Sequence, residues 1–184
     1  QHHFSSKDIR NVDIYLPTED KTLVGFPFRI GRHPQVDAQF SAAYPVALAF
    51  TVGHVRASDY AEEAIRSNRT VLDFLSKITV HHNSEHPSPP AETDRVHTMR
   101  VELLDGTVYE TKKFVGTDLL YPGEGTLAEV RAKFRECATG TSIFSTERVE
   151  HLLDTMDSIQ DAEDIATVLP EIIVADNLQP VRDG

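Results

Sequence analysis

Apolar and polar residues alternate from Val12 through Asp13, Ile14 and Tyr15 to Leu16, a period of two that predicts a half-buried strand over Ile9–Leu16. The next stretch is punctuated by Pro17, Gly25, Pro27, Gly31 and Pro34 and reads as turn-rich and irregular. Gln39 to Val55 is small and apolar on most sides, which predicts a buried helix. Pro45 lies inside it, so the helix either begins near Pro45, where a missing backbone donor costs nothing, or kinks there. Two short helices follow: Tyr60–Arg66, with Ser58 and Asp59 as cap candidates, and one in which Thr70 precedes Val71, Leu72 and Leu75. Ile78–His82 reads as a strand, and the polar, three-proline stretch from His82 to Asp94 as an exposed loop.

The clearest feature is a hairpin. Val96–Leu104 and Thr107–Val115 flank Asp105-Gly106, a pair suited to the positive φ angles of a type I′ turn. Met99, Val101 and Leu103 share one face; Thr98, Arg100 and Glu102 share the other, which predicts one covered and one wet face. Beyond the hairpin the spacing is helical, with apolar stripes at Leu127, Val130, Phe134 and Cys137, then Val149, Leu152, Leu153 and Met156, then Ile165, Val168, Leu169 and Ile172. These elements predict an α+β two-layer sandwich: a mostly antiparallel sheet of about four strands with helices on one face. An α+β domain over 1–140 and C-terminal helices over 141–184 are the expected parts, with the residues after Asn177 frayed.

Charge narrows the function. With 29 acids against 18 bases the formal net charge is −11, and nine acids face one base between Glu150 and Gly184. Such a surface repels phosphate backbones, which argues against a nucleic-acid partner. No apolar run approaches the ~20 residues that span a bilayer, and no secretory signal opens the chain. Cys137 is the sole cysteine, which excludes an internal disulfide and is compatible with a cytoplasmic setting. The chain opens at Gln1 without Met and enters structured-looking sequence within a few residues, so it is expected to be processed or excised from a longer protein.

No complete catalytic constellation is spelled out: glycine-rich phosphate loops, nucleophile elbows and zinc-protease motifs are all missing from the sequence. His81, His82 and His86 cluster, but strand neighbours point to opposite faces, so a solvated strand end is a better reading than a metal site. His33 beside Arg32 in the proline-rich loop suggests anion binding, with Arg32 as a substrate-binding candidate. His2, His3, His54, His97 and His151 carry no motif. Cys137, on an apolar stripe, reads as a buried, inert thiol. Tyr44 stands among Ser41, Ala42, Ala43 and Ala47, small neighbours that leave room for a ligand near its hydroxyl. A tyrosine can donate a proton to a leaving hydroxyl or hold a carboxylate. The plainer alternative is a core tyrosine satisfied locally.

The stretch DAQFSAAYPVALAFTVGHV with the later VLDFLSKITV resembles the C-terminal part of the MmgE/PrpD family, which includes 2-methylcitrate dehydratase, cis-aconitate decarboxylase and iminodisuccinate epimerase. The opening SSKDIRNVDIYLP, the hairpin RVHTMRVELLDGTVYE and GTDLLYPGEGTLAEVRAKF, with Gly116, Pro122, Lys133 and Phe134, are similar to further family patterns in the same order. The family's alanine, serine and tyrosine correspond to Ala38, Ser41 and Tyr44.

The resemblance implies a two-domain enzyme, a helical domain and a smaller α+β domain, with the active site in the cleft between them. It implies proton transfer next to carboxylates without metal or organic cofactor, commonly in a homodimer. Helices at the C-terminus would return to the helical domain, which is not in this sequence. Of the family's cleft residues only Tyr44 carries over, as catalytic residue, with Ser41 beside it as a substrate-binding candidate. The expected function is thus the C-terminal domain of a lyase or isomerase for a small di- or tricarboxylate, 2-methylcitrate dehydratase-like and inactive alone. A non-catalytic α+β self-association module is the alternative, because apolar stripes left exposed promote oligomers.

Overall fold

The computed structural model describes residues 4–85, 95–115, 124–139 and 144–172. Four strands form one sheet: β1 (Ile9–Leu16), β2 (Ile78–His82), β3 (Arg95–Leu103) and β4 (Val108–Val115), in the order β2-β1-β3-β4. β1 pairs parallel with β2 (Val12 opposite Ile78) and antiparallel with β3 (Val12 opposite Val101), and β3 pairs antiparallel with β4. The expected α+β fold with a mostly antiparallel sheet is therefore present.

A parallel pair cannot be joined by a tight turn, so the chain crosses over from β1 to β2. Residues 17–77 make that crossover with five helices: α1 (Thr18–Val24), α2 (Pro34–Gln39), α3 (Ala43–Thr51), α4 (Glu62–Ser67) and α5 (Arg69–Phe74), plus 3₁₀ turns at Ala57–Tyr60 and Leu75–Lys77. Helices α1 and α2 occupy the stretch expected to be irregular. Their signals were short ones: Glu19 and Asp20 in the first turn of α1, and Pro34 at the start of α2. Pro45 falls in the first turn of α3, where its absent N–H would have had no intrahelical partner, so the helix starts at the proline region without a break. Asn68, ahead of the expected Thr70, caps α5 by accepting from the Val71 N–H at 3.2 Å. Asp59, expected to cap a helix at Tyr60, instead accepts from the Arg56 N–H at 2.7 Å within the 3₁₀ turn.

Core packing follows from the sheet's alternation. Ile9, Val12, Ile14 and Leu16 of β1, with Val101 and Leu103 of β3, meet Ala38, Tyr44, Ala47, Leu48, Ile65, Val71 and Phe74 from the crossover. The polar face of β3 carries Arg100 and Glu102, but Thr98, expected on the same wet face, is buried, as is Val96 two residues before it. Helix α1 is pinned to β3 by Asp20, whose two carboxylate oxygens accept from Arg95 and His97 at 2.7 Å each. The hairpin departs from the expected type I′ turn. The Gly106 N–H donates to the Leu103 carbonyl at 3.0 Å and the Leu103 N–H to the Thr107 carbonyl at 2.8 Å, a three-residue loop with Gly106 at φ 88°. That is a type I turn closed by a bulge, in which one glycine supplies the left-handed residue.

The chain divides into two compact units, Gln1–Gly123 and Glu124–Gly184. The division falls before α6 (Glu124–Thr139), whereas the sequence division at 140 and 141 leaves that helix with the sheet. In the second unit α6 packs on α7 (Thr146–Ser158) and α7 on α8 (Ile165–Ile172). Val149, Leu153 and Ala138 form its small core, with Phe134 and Phe144 against them. Arg135 and Glu150 tie α6 to α7 through two hydrogen bonds of 2.7 and 2.8 Å, a bidentate pair. The stripe expected on α6 is not buried as drawn: Leu127, Val130 and Cys137 are exposed, and Ala138 is the residue that α7 covers. Met156 and Ile165, on the apolar stripes of α7 and α8, are exposed as well. The loop residues 86–94, His86 among them, the motif residues Gly116 and Pro122, and the tail after Asn177 lie outside the described residues.

Leu48 is 1% exposed on α3, so Leu48→Ala is expected to cost roughly 2–5 kcal/mol of unfolding free energy, read by urea denaturation. Val130→Ala, at a position 54% exposed, is expected to stay within about 0.5 kcal/mol of the parent.

Candidate functional site

Tyr44 sits in the first turn of α3, and its side chain is fully enclosed. Its ring packs between Phe28 (centroids 5.0 Å apart) and Tyr60 (5.5 Å, edge to face), and its hydroxyl donates to the Asp59 carbonyl at 3.0 Å. Burial, with the nearby Asp59 charge and Tyr60 adding to it, pushes the phenol up to about 12. Burial and Asp59 also raise Tyr60. Both phenols are therefore proton-bearing hydrogen-bond donors at neutral pH, not bases. Ser41 is buried one turn earlier, and its Oγ accepts from the Tyr44 N–H at 3.2 Å, satisfying one of the free donors at the start of α3. The structure thus joins Ser41 to Tyr44, but through the backbone and inside the core.

Arg32 lies apart from that pair, exposed in the segment between α1 and α2. This segment is folded by a hydrogen bond of 2.6 Å from the Gly31 N–H to the Asp37 carboxylate. The adjoining residues, which the sequence did not single out, build a concavity in the first unit. A groove of about 670 Å³ runs between Gly25–Ile30, α5 with the following 3₁₀ turn, and β2. Lys21 and Arg29 line it, Phe26, Phe28 and Leu75 form apolar walls, and Ser76 adds a hydroxyl. Gly25 allows the chain to turn into this segment: a Cβ there would stand 2.5 Å from the Lys21 carbonyl oxygen. Phe28 borders the groove and also packs on Tyr44. The size suits a small molecule, for which sites run about 300–1,000 Å³.

A comparison with known families matches the MmgE/PrpD C-terminal domain to residues 1–161. The chain belongs to the MmgE/PrpD family. A search of curated proteins returns no match to it. The MmgE/PrpD match spans the whole first unit and continues through α6 and α7, and it includes the three positions, Ala38, Ser41 and Tyr44, that carried the resemblance.

Other candidate residues of this MmgE/PrpD chain do not converge. His81 Nε2 meets Asp13 Oδ1 at 2.7 Å and its ring stacks on Tyr15, while His82 Nε2 meets Thr18 Oγ1 at 2.8 Å. The two therefore take separate partners, as strand alternation dictates. Among the described residues no group of three or more His, Cys, Asp or Glu side chains is placed to hold a metal ion. Cys137, read from the sequence as buried, is exposed on α6. Among the described residues no helix is long and apolar enough to cross a membrane.

Tyr44→Phe removes a buried hydrogen bond and is expected to lower stability by about 1 kcal/mol in urea unfolding. Stability should also depend on alkaline pH. An unfolded tyrosine releases its proton near pH 10, whereas Tyr44 holds its own to about 12, so its contribution is complete below about pH 10 and disappears as pH climbs through about 12. Phenolate absorbance and circular dichroism recorded together should show tyrosine ionisation and unfolding in that window. In Tyr44→Phe the unfolding should become less steep with pH.

Proposed function

We propose that this chain is the C-terminal domain of a cofactor-independent lyase or isomerase acting on a small di- or tricarboxylate, with dehydration of a 2-hydroxy acid as its reaction. The observation that carries the reading is the MmgE/PrpD C-terminal domain match over residues 1–161. In such a reaction a base takes the proton from the carbon next to a carboxylate. The neighbouring carbon loses its hydroxyl as water once that oxygen is protonated, and a C=C bond forms between the two. Neither phenol of the Tyr44–Tyr60 pair is suited to be the base, since both are held in the protonated form. The base is assigned to a helical domain, on the same polypeptide or another, that closes a cleft against this one.

Tyr44 enters as the group that donates a hydrogen bond or proton to the departing hydroxyl or to a carboxylate. Its role follows from the family resemblance. In the structure its hydroxyl is committed to Asp59 and its ring is covered by Phe28, so contact with substrate requires the Gly25–Gly31 segment to yield when the cleft is assembled. A homodimeric assembly in a cytoplasmic setting belongs to the same proposal.

Exposed apolar residues favour a second reading, a self-association module. Leu23, Phe26, Val36 and Phe40 are each at least half exposed on α1, α2 and their connections. A domain cut to receive another domain leaves the same signature, so oligomers of the chain alone do not distinguish the two readings. Activity does.

The chain joined to a MmgE/PrpD helical domain is expected to convert at least one of 2-methylcitrate, citrate, cis-aconitate and iminodisuccinate, followed by chromatography of the acids. The chain by itself is expected to convert none. An assembled protein inert on all four overturns the enzyme in favour of the association module. In the active assembly Tyr44→Phe is expected to lower kcat by roughly 10²–10⁴-fold. An unchanged kcat with only the loss of stability would return Tyr44 to the core.

A further inference from the structure

We propose that the groove between Gly25–Ile30 and the outer edge of β2 is a carboxylate-binding site in which Lys21 and Arg29 hold the anionic groups of a di- or tricarboxylate. This rests on the polycarboxylate reading above for the identity of the ligand, but the site is argued from its own chemistry.

Charge segregation is the first observation. Acids outnumber bases 29 to 18 in the chain, yet the groove is lined by two cations and no Asp or Glu. The second is that these cations are uncommitted. Arg10, Arg66, Arg95, Arg131 and Arg135 each engage a carboxylate, whereas Lys21 and Arg29 meet none among the described residues. Two cations and no carboxylate on its lining favour an anion in the groove. The third is the wall around them. Phe26, Phe28, Leu72 and Leu75 line the groove with apolar carbon, which suits the methylene carbons of a polycarboxylate. Arg29 supplies the planar donor fork that matches a carboxylate with two parallel bonds, and Lys21 a point charge for a second group. β2 is an edge strand, and its residues Ile78, Thr79 and Val80 form the remaining side of the groove. The enclosed volume and the net negative surface select a small acid over a nucleic acid.

The test titrates citrate into the 184-residue chain at neutral pH and low salt, by calorimetry and by NMR shifts. Lys21→Gln and Arg29→Gln are each expected to weaken binding about 10-fold or more, as loss of an ionic hydrogen bond does. Lys21→Arg, which keeps the charge, is expected to retain most of it, and Arg10→Gln, at a cation already held by Glu102, to leave it unchanged. The trimethyl ester of citrate should not bind. Equal affinity in K21Q and R29Q with their melting curves intact, or equal binding of the ester, overturns the site. Citrate binding that depends on both cations, in an assembly without turnover, keeps the groove and removes the lyase. Turnover indifferent to both substitutions does the reverse.

Discussion

The position of β1 constrains the rest of the first unit. Among the described residues it is the one strand with a parallel neighbour on one side and an antiparallel neighbour on the other. Antiparallel pairing to β3 can be reached from either direction along the chain, but parallel pairing to β2 obliges the polypeptide to return to the starting end of the sheet. That return is residues 17–77, and right-handed crossovers lay such a segment on one face. The same step decides that Val12, Ile14 and Leu16 are covered, that the opposite face stays polar, and that β2 ends up at an edge. The groove follows from it too, because its wall is that edge and its roof is the first part of the crossover.

Hydrogen bonding explains why the crossover is made of short pieces. Its helices run six to nine residues, too few for stability from propensity alone. Each is held by what it contacts: α1 by Asp20 on Arg95 and His97, α3 by Tyr44, Ala47 and Leu48 in the core, α5 by its Asn68 cap and by Val71 and Phe74. Lys77, which closes the crossover, sets its ammonium 2.6 Å from the Ile9 carbonyl and beside the Phe74 ring. A long side chain thereby ties the end of the return segment to the beginning of β1. The second unit relies on a different balance, a small core with ion pairs between α6 and α7, and keeps much of its apolar surface outward.

What was legible in the sequence was periodic. The alternation places the buried face of β1 and of the Val101–Leu103 end of β3, though not the buried Thr98; Ile78–His82 is a strand with the bounds read from its residues, and Pro45 marks the start of α3. What was not legible was decided by contacts distant in sequence. Thr18–Val24 and Pro34–Gln39 are too short for a period to show and are helical because β3 and the rest of the crossover support them. The Asp-Gly pair signals a tight turn, but which one depends on the register of β3 on β4, where Leu103 meets Thr107 and three residues are left to turn. Cys137 misled because a helical stripe shows only that residues share a side; whether anything covers that side is not written in the spacing. The candidate site divides in the same manner. Ser41 and Tyr44 stand out because a run of small residues surrounds them, whereas Lys21 and Arg29 belong to no motif and are brought together only by the fold.

The two parts of that site are bound by Phe28. Its ring packs on Tyr44 at a centroid distance of 5.0 Å and also borders the groove that Lys21 and Arg29 line. The chain around Phe28 belongs to no helix or strand between α1 and α2, and its backbone is held to the second of these by the Gly31–Asp37 hydrogen bond. Displacing the ring would cost the aromatic contacts on Tyr44, of order 0.5–1.5 kcal/mol beyond the apolar area uncovered. An ionic hydrogen bond gained by Arg29 is worth about 1.5–3 kcal/mol, enough to offset the aromatic pairing itself. The two quantities are of comparable size, and an anion at Arg29 displaces Phe28 only to the extent that it binds more tightly with the ring moved than with the ring seated.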